Sequence, residues 1–260
     1  MSLLVLSHPD EDHSNFVPGV FDNSTKVENL AIGGQLSEYP DSVRLWLGQR
    51  IISGNSPQLF CFDRPSKAPA NLPCSLGWTT GEFRILAVNH GGSDRNDDST
   101  VLTFVHRDSQ TSVLLPGDAQ NALQSLETGA LKSTILIAPH HGGHAKEQKT
   151  WYANVLKRIE PRILIFSAKN PKNYHPNSKV FDAVKESLAN VIPVHDLSMF
   201  REKHLNGTCD RACYSTFDHE IIVVLIENSK TTLLFGESAT EFNGEHRKRV
   251  SLFKWQRALS

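Results

Sequence analysis

Residues 3–13 read LLVLSHPDEDH, an apolar run followed at once by four side chains that can bind a divalent metal. The apolar run predicts a buried strand, and the polar residues predict a turn at its carboxyl end. In an extended turn His8, Asp10 and Asp12 share one parity and converge on one cation, while His13 reaches a second centre. Two such centres are typical of a dinuclear hydrolytic site. The alternative is a solvated acidic turn with two incidental histidines.

The composition is that of an ordinary globular protein. The chain has 260 residues, of which 39% are hydrophobic and 21% are charged, and its formal net charge is −1. This length suits one large domain or two small ones, and the balanced charge provides no global basic field for nucleic acid. A local basic stretch lies in residues 241–260, which we expect to form a solvated basic tail or helix; a nucleic-acid patch is the alternative.

The sequence favours a cytoplasmic location. No apolar run approaches the roughly 20 residues that span a bilayer, and the N-terminus shows no secretory signal. The four cysteines do not suggest a disulfide scaffold, so we expect free thiols. A structural metal at Cys209-x3-Cys213 is the alternative.

Beyond the first motif, strand-like runs alternate with segments of helical periodicity, which predicts an α/β or α+β fold. Asp41 and Ser42 predict a capped short helix that ends near Gly48, and residues 54–81 predict an irregular excursion. The other predicted strands are 27–32, 83–88, 100–105, 112–115, 134–138, 162–167 and a hairpin over 221–235; the other predicted helices are 119–128, 151–159 and 178–188.

Polar residues follow three of these predicted strands. Asp118 comes after the strand that ends at Leu115, where a carboxylate can bridge two metals or simply cap the next helix. His140 and His141 follow the strand 134–138 and precede two glycines, which leave room for a ligand near the backbone. His175 follows the strand 162–167. Histidine and aspartate ligands of this kind suit Zn²⁺ or Mn²⁺.

The order and spacing of these motifs resemble the metallo-β-lactamase superfamily, and specifically its ComEC-type branch, the hydrolase domain attached to the bacterial DNA-uptake channel. The resemblance runs from residue 3 to about residue 190. The motifs that carry it are His8-x-Asp10-x-Asp12-His13, Asn96-x-x-Ser99, Leu115-Pro116-Gly117-Asp118, Pro139-His140-His141-Gly142 and Asn173-Tyr174-His175-Pro176.

The resemblance implies a four-layer αββα sandwich over residues 1–240, with two divalent metal ions at one edge of its two sheets. It makes His8 and Asp10 ligands of the first metal and Asp12 and His13 ligands of the second. Asp118 would bridge the two metals and His141 would complete the second site, while His140 and His175 would line the substrate side. Asp10 stands where most of the superfamily has histidine, as in the ComEC branch.

The chain also departs from the family pattern. The family's third motif normally contains a histidine. It has no sure counterpart in this chain, and His90 and Asn96 are the nearest candidates. The family normally has further strands before the first motif, so we expect an N-terminally incomplete sandwich whose first sheet is completed by a missing segment or a partner. The membrane segments of the transporter have no counterpart here, and DNA transport is not implied.

These observations predict a metal-dependent hydrolase of phosphodiester bonds in nucleic acid or nucleotides, acting through a hydroxide activated by two metal ions. In this scheme Asp12 orients the nucleophile, and His140 or His175 donates a proton to the leaving oxygen. The alternatives are an ester, lactone or amide hydrolase of the same superfamily, and a catalytically inactive module that binds a metal or a partner.

Overall fold

The protein is a mixed α/β structure, as the sequence predicts. The computed structural model describes residues 3–22, 24–61, 81–89, 95–143, 148–167 and 178–187, together with seven short strands after residue 190. The chain divides into two compact units, Met1–Phe104 with Leu114–Leu131 and Val105–Val113 with Lys132–Ser260. Within the described ranges, no helix combines the length and the apolar character needed to cross a bilayer.

The first unit contains most of the secondary structure before residue 131. In chain order its elements are β1 (Leu4–Leu6), α1 (Glu11–Ser14), α2 (Val17–Val20), β2 (Asn29–Ile32), a 3-10 turn (Leu36–Glu38), α3 (Asp41–Ile52), β3 (Gln58–Cys61), β4 (Gly81–Ala87), a 3-10 turn (Arg95–Asp98), β5 (Val101–His106), β6 (Ser112–Leu115), α4 (Asn121–Ser125) and α5 (Thr128–Leu131). The turn between β5 and β6 is grouped with the second unit.

A parallel three-stranded sheet, in the order β1-β2-β3, forms the centre of the first unit. Leu4 pairs with Leu30 and Leu6 with Ile32, so the carboxyl ends of β1 and β2 meet at one edge. Among the described residues β1 is an edge strand of this sheet. The expectation that a missing segment or a partner completes the sheet stays a prediction.

The sheet of the first unit is covered on both faces, which explains the continuous apolar run of β1. Because side chains alternate along a strand, Leu6 packs with Trp46 and Leu47 of α3 on one face. Val5 packs on the other face against Ile85 of β4 and Leu102 of β5. The first unit therefore contains a helix layer and two strand layers.

The second unit is built around parallel strands. Its elements are β7 (Ile135–Ile137), a 3-10 turn (Pro139–Gly142), α6 (Gln148–Ile159), β8 (Ile163–Phe166), α7 (Ser178–Ser187), β9 (Ile192–Pro193), β10 (Lys203–His204), β11 (Ala212–Ser215), β12 (Ile221–Glu227), β13 (Lys230–Gly236), β14 (Thr240–Asn243) and β15 (His246–Arg249). Strands β7, β8, β11 and β9 lie side by side and parallel, and α6 packs against α7. Strands β12 and β13 form the predicted hairpin.

Three predictions of secondary structure differ from the structure. The helix from Asp41 runs on to Ile52, because a single glycine inside a helix costs only about 1 kcal/mol and Trp46 and Leu47 anchor it in the core. The predicted helix 119–128 is two short helices, since Leu126 is extended and ends α4. Within 54–81 the strand β3 was missed. The rest of that predicted excursion, residues 62–80, lies outside the described residues. Of the predicted basic tail or helix over 241–260, residues 246–249 form the strand β15 and residues 250–260 lie outside the described residues.

Arg50 of α3 is fully buried and holds the loop that precedes β2. Its guanidinium donates hydrogen bonds to the backbone oxygens of Thr25 (2.7 Å), Phe21 (3.1 Å) and Asp22 (2.5 Å). The guanidinium also lies 4.4 Å from the centre of the Trp46 ring, whose Nε1 donates to the Phe21 oxygen at 2.6 Å. A buried cation is thus stabilised by carbonyl groups and an aromatic face, and the loop after α2 is held against the core.

Candidate metal centre

The chain leaves β1 through a helical turn rather than the extended turn that we expected. Asp10 is extended and precedes helix α1, which begins at Glu11. This turn brings His13 back towards His8, and their ring centres are 4.1 Å apart. It leaves Asp12 on the outside, with 66% of its side chain exposed. The parity argument was therefore wrong: His8 lies with His13, because the chain is helical where the argument assumed an extended turn.

Asp118 joins the two histidines from a separate part of the chain. It follows β6 through Gly117, which has the left-handed backbone (φ +57°) that glycine adopts without strain. Its buried carboxylate places Oδ1 3.3 Å from Nε2 of His13 and Oδ2 3.8 Å from Nε2 of His8. Each oxygen of the carboxylate thus faces a different histidine, as a bridging position would require.

His8 is the most deeply buried member of this cluster. Its side chain is fully buried, and its Nε2 has no hydrogen-bond partner among the residues that the structure describes. Burial lowers the pKa of His8 to about 4, although the nearby Asp118 opposes this shift, so the imidazole is neutral at pH 7. A buried ring nitrogen without a partner is unusual in a folded protein, and this nitrogen is therefore available as a metal ligand.

His13 differs electrostatically from His8. Burial by itself lowers the pKa of His13, but the hydrogen bond to Asp118 and the charges of Asp118, Asp12 and Asp10 outweigh burial and raise this pKa above its usual value. The raised pKa favours pairing of a protonated His13 with the Asp118 carboxylate. Asp118 thus provides a partner for Nε2 of His13, whereas Nε2 of His8 has no hydrogen-bond partner among the described residues.

The residues present fit a divalent cation. One ligand atom from each of His8, His13 and Asp118 lies within 4.8 Å of the others. Two ligands of one tetrahedral zinc ion are about 3.4 Å apart, close to the nitrogen–oxygen distances in this cluster. Asp10 Oδ2 is 3.7 Å from His8 Nε2, and Asp12 Oδ2 is 3.7 Å from His13 Nε2, so each histidine has a further carboxylate beside it. Two imidazoles and three carboxylates suit Zn²⁺ or Mn²⁺.

Asp97 supports the site, and the sequence analysis missed it. It is buried, and its Oδ1 accepts hydrogen bonds from the backbone nitrogens of Gln120 and Asn121, each at 2.7 Å. Asp97 thereby holds the chain just after Asp118 and accepts backbone N–H groups at the start of α4 that have no partner within the helix. The third-motif candidate Asn96 lies in the same 3-10 turn, while His90 lies outside the described residues. No local pattern separates Asp97 from an ordinary polar turn.

Gly33 allows the loop after β2 to approach the histidine loop closely. Its nitrogen donates to the Leu6 oxygen at 2.9 Å. A Cβ at this position would overlap the carbonyl oxygen of Ser7 and would lie 2.6 Å from Oγ1 of Thr100. The backbone next to His8 therefore depends on a residue without a side chain.

We expect Gly33→Ala to lower the free energy of unfolding by about 2–4 kcal/mol, because the backbone carrying His8 must move. Zn²⁺ affinity should fall as well, since the spacing of the ligands changes. Gly48→Ala is the matched control, because nothing lies within 4 Å of its added Cβ inside α3. Urea denaturation should show Gly48→Ala as stable as the native protein or up to about 1 kcal/mol more stable. Equal stability of the two variants would contradict the role of Gly33.

His140 and His141 lie in the second unit, in the 3-10 turn after β7. Both have left-handed backbones (φ 49° and 54°), which cost energy in non-glycine residues and concentrate at functional sites. Nδ1 of His141 lies 2.6 Å from the Ser167 oxygen and must donate to it, which leaves Nε2 as the acceptor nitrogen. His175 lies outside the described residues. The roles expected for these three histidines stay predictions.

Comparison with known proteins adds no identification. No protein-family profile matches the chain, and no curated protein is significantly similar to it in sequence. The case for function therefore depends on the residues and geometry of the site.

Proposed function

We propose that the protein is a metal-dependent hydrolase that cleaves phosphodiester bonds in nucleic acid or nucleotides. The observation that carries this proposal is the convergence of His8, His13 and Asp118 around a buried Nε2 that has no hydrogen-bond partner. We further propose that the fold is the four-layer αββα sandwich of the metallo-β-lactamase superfamily. The helix layer and two strand layers of the first unit support that fold, as does the order of the motifs.

His8, His13 and Asp118 would hold the metal, with Asp10 and Asp12 as further ligands of a pair of divalent ions. The bound ions would supply Lewis-acid chemistry, which lowers the pKa of water and offsets negative charge on phosphoryl oxygens. His8 and Asp118 are buried, and Oγ of Ser99 contacts both His8 Nδ1 and the backbone N–H of Asp118, so these ligands would need little reorganisation. The carboxylate of Asp12 is exposed, and it would accept a hydrogen bond from the attacking water and orient it.

The number of carboxylates favours phosphodiesters as the substrate class. Asp10, Asp12 and Asp118 give the site an oxygen-rich ligand set, which accommodates Mn²⁺ as well as Zn²⁺. Paired divalent ions stabilise both the attacking and the leaving oxygen of an in-line displacement at phosphorus. The resemblance to the ComEC-type branch supports the same class, since Asp10 is the feature that they share.

The test is turnover of bis(4-nitrophenyl) phosphate compared with 4-nitrophenyl acetate by the full chain loaded with Zn²⁺ or Mn²⁺. We expect about two metal ions per chain by elemental analysis, hydrolysis of the diester that is lost on chelation, and little metal-dependent turnover of the ester. Asp12→Asn should lower diester turnover by about 10²-fold or more, because the neutral amide is a weaker acceptor for the water and a weaker metal ligand than the carboxylate. Glu11→Gln is the matched control, an exposed neighbour with no role in the mechanism, and should stay within twofold.

Two other results would redirect the proposal. Metal-dependent turnover of the acetate alone would favour an ester, lactone or amide hydrolase. Bound metal without turnover of either substrate would indicate an inactive metal-binding module. His141→Ala, analysed for metal content in the same series, tests whether this residue supplies a ligand.

A further inference from the structure

Two serine hydroxyls lie beside the Nδ1 atoms of the histidines, whereas the Asp118 carboxylate faces their Nε2 atoms. Oγ of Ser7 is 3.1 Å from Nδ1 of His8 and 3.2 Å from Nδ1 of His13. Oγ of Ser99 is 3.2 Å from Nδ1 of His8 and accepts the backbone N–H of Asp118 at 3.0 Å. All three members of the metal cluster are thus connected through two hydroxyl groups.

We propose that Ser7 and Ser99 are positioning residues that hold His8 and His13 as Nδ1–H tautomers, so that both Nε2 lone pairs face the position occupied by the metal. A neutral imidazole carries its proton on one nitrogen only, and an acceptor beside Nδ1 selects the tautomer in which Nε2 is free. This inference rests on the metal centre of the proposed function but not on the reaction.

The hydrogen-bond count is consistent with this assignment. A serine oxygen has two acceptor lone pairs. In the proposed tautomers Ser7 accepts the Nδ1–H groups of His8 and His13. Ser99 accepts the backbone N–H of Asp118 and shares the Nδ1–H of His8 with Ser7. The reverse tautomer would place a proton on Nε2 of His8, where the structure provides no acceptor within hydrogen-bond distance. A buried donor without an acceptor costs about 1–3 kcal/mol.

The backbone holds both hydroxyls in place. The carbonyl oxygen of Ser7 accepts the Thr100 N–H at 2.9 Å. Ser99 is fully buried, and a Cβ on Gly117 would lie 3.0 Å from its side chain and 3.2 Å from Cβ of Ser7. Close approach through Gly33 and Gly117 therefore brings the serine loops together. Outer partners of metal-binding histidines that are fixed in this way typically contribute 10- to 100-fold to metal affinity.

The experiment combines two measurements on the full chain: nitrogen-15 NMR of the histidine rings without metal, and Zn²⁺ affinity by competition with a chromogenic chelator. In the native protein we expect His8 as the Nδ1–H tautomer. In Ser7→Ala and Ser99→Ala we expect a mixture of tautomers at His8 and Zn²⁺ affinity lower by about 10- to 100-fold. Ser125→Ala is the matched control, because it removes a hydroxyl that donates to the Ala122 oxygen inside α4 and is not one of the two that lie beside the histidines; it should match the native protein.

The native spectrum alone can overturn the inference, whether or not a variant folds. An Nε2–H tautomer at His8, no Zn²⁺ binding by the native chain, or serine variants that keep the native tautomer and bind Zn²⁺ within threefold would each do so. If Zn²⁺ binds and the variants weaken it, but no phosphodiester is hydrolysed, the proposed reaction fails and the inference stands. If diesters are hydrolysed and the serine variants behave as the native protein does, only the inference fails.

Discussion

Replacing Asp118 by Asn will lower Zn²⁺ affinity by more than about 10²-fold, beyond the usual contribution of an outer-shell partner. Its two carboxylate oxygens face Nε2 of His8 and of His13, and an amide of the same shape presents only one acceptor and no charge. The pKa of His13 should also fall, since the hydrogen bond and charge of Asp118 are what hold it above its usual value. Diester turnover should disappear together with the metal.

Chelator competition and elemental analysis of the same preparation measure this effect. The matched control is Asp41→Asn, which makes the same change at an exposed carboxylate on α3 that pairs with Arg44. This control should keep native metal content, because an exposed ion pair contributes little. Native Zn²⁺ affinity in folded Asp118→Asn would show that Asp118 is a partner of His13 and not a ligand.

Replacing Arg50 by Met will lower the free energy of unfolding by about 3 kcal/mol, because hydrogen bonds to charged groups contribute about 1.5–3 kcal/mol each and are not additive. Methionine fills much of the volume but cannot donate the hydrogen bonds that Arg50 makes to the backbone oxygens of Phe21, Asp22 and Thr25. It also removes the cation from the face of Trp46. The loop before β2 should then loosen.

Urea denaturation of Arg50→Met and Arg44→Met measures the difference within one helix. Arg44 is half exposed and pairs with exposed Asp41, so its replacement should cost no more than about 0.5 kcal/mol. Arg50→Lys should lie between the native protein and Arg50→Met, because an ammonium keeps the charge but lacks the planar fork. Equal stability of the two methionine variants would mean that the buried guanidinium contributes nothing.

The strand elements could be predicted largely from local pattern. The aliphatic run before His8 is β1, and the predicted strand 162–167 and the hairpin 221–235 are present as β8 and as β12 with β13. Apolar side chains at strand or helix period must be buried wherever the chain folds, and this constraint is visible in the sequence. The C-terminal end of α3 and the break after α4 were not visible in the sequence, because packing against the core and short polar contacts decide where a helix ends.

For the site, the sequence by itself determined which ligand types are available and that they follow strand ends: His8, Asp10, Asp12 and His13 after β1, and Asp118 after β6. Only the tertiary structure decided the grouping of His8 with His13 and Asp118, because a helical turn after Asp10 replaced the extended chain. It also placed Ser7 and Ser99 beside the histidine rings and Arg50 beside the loop before β2. The partners of Ser99 and Arg50 lie on distant segments of the chain, and such a contact leaves no periodic signal in either segment.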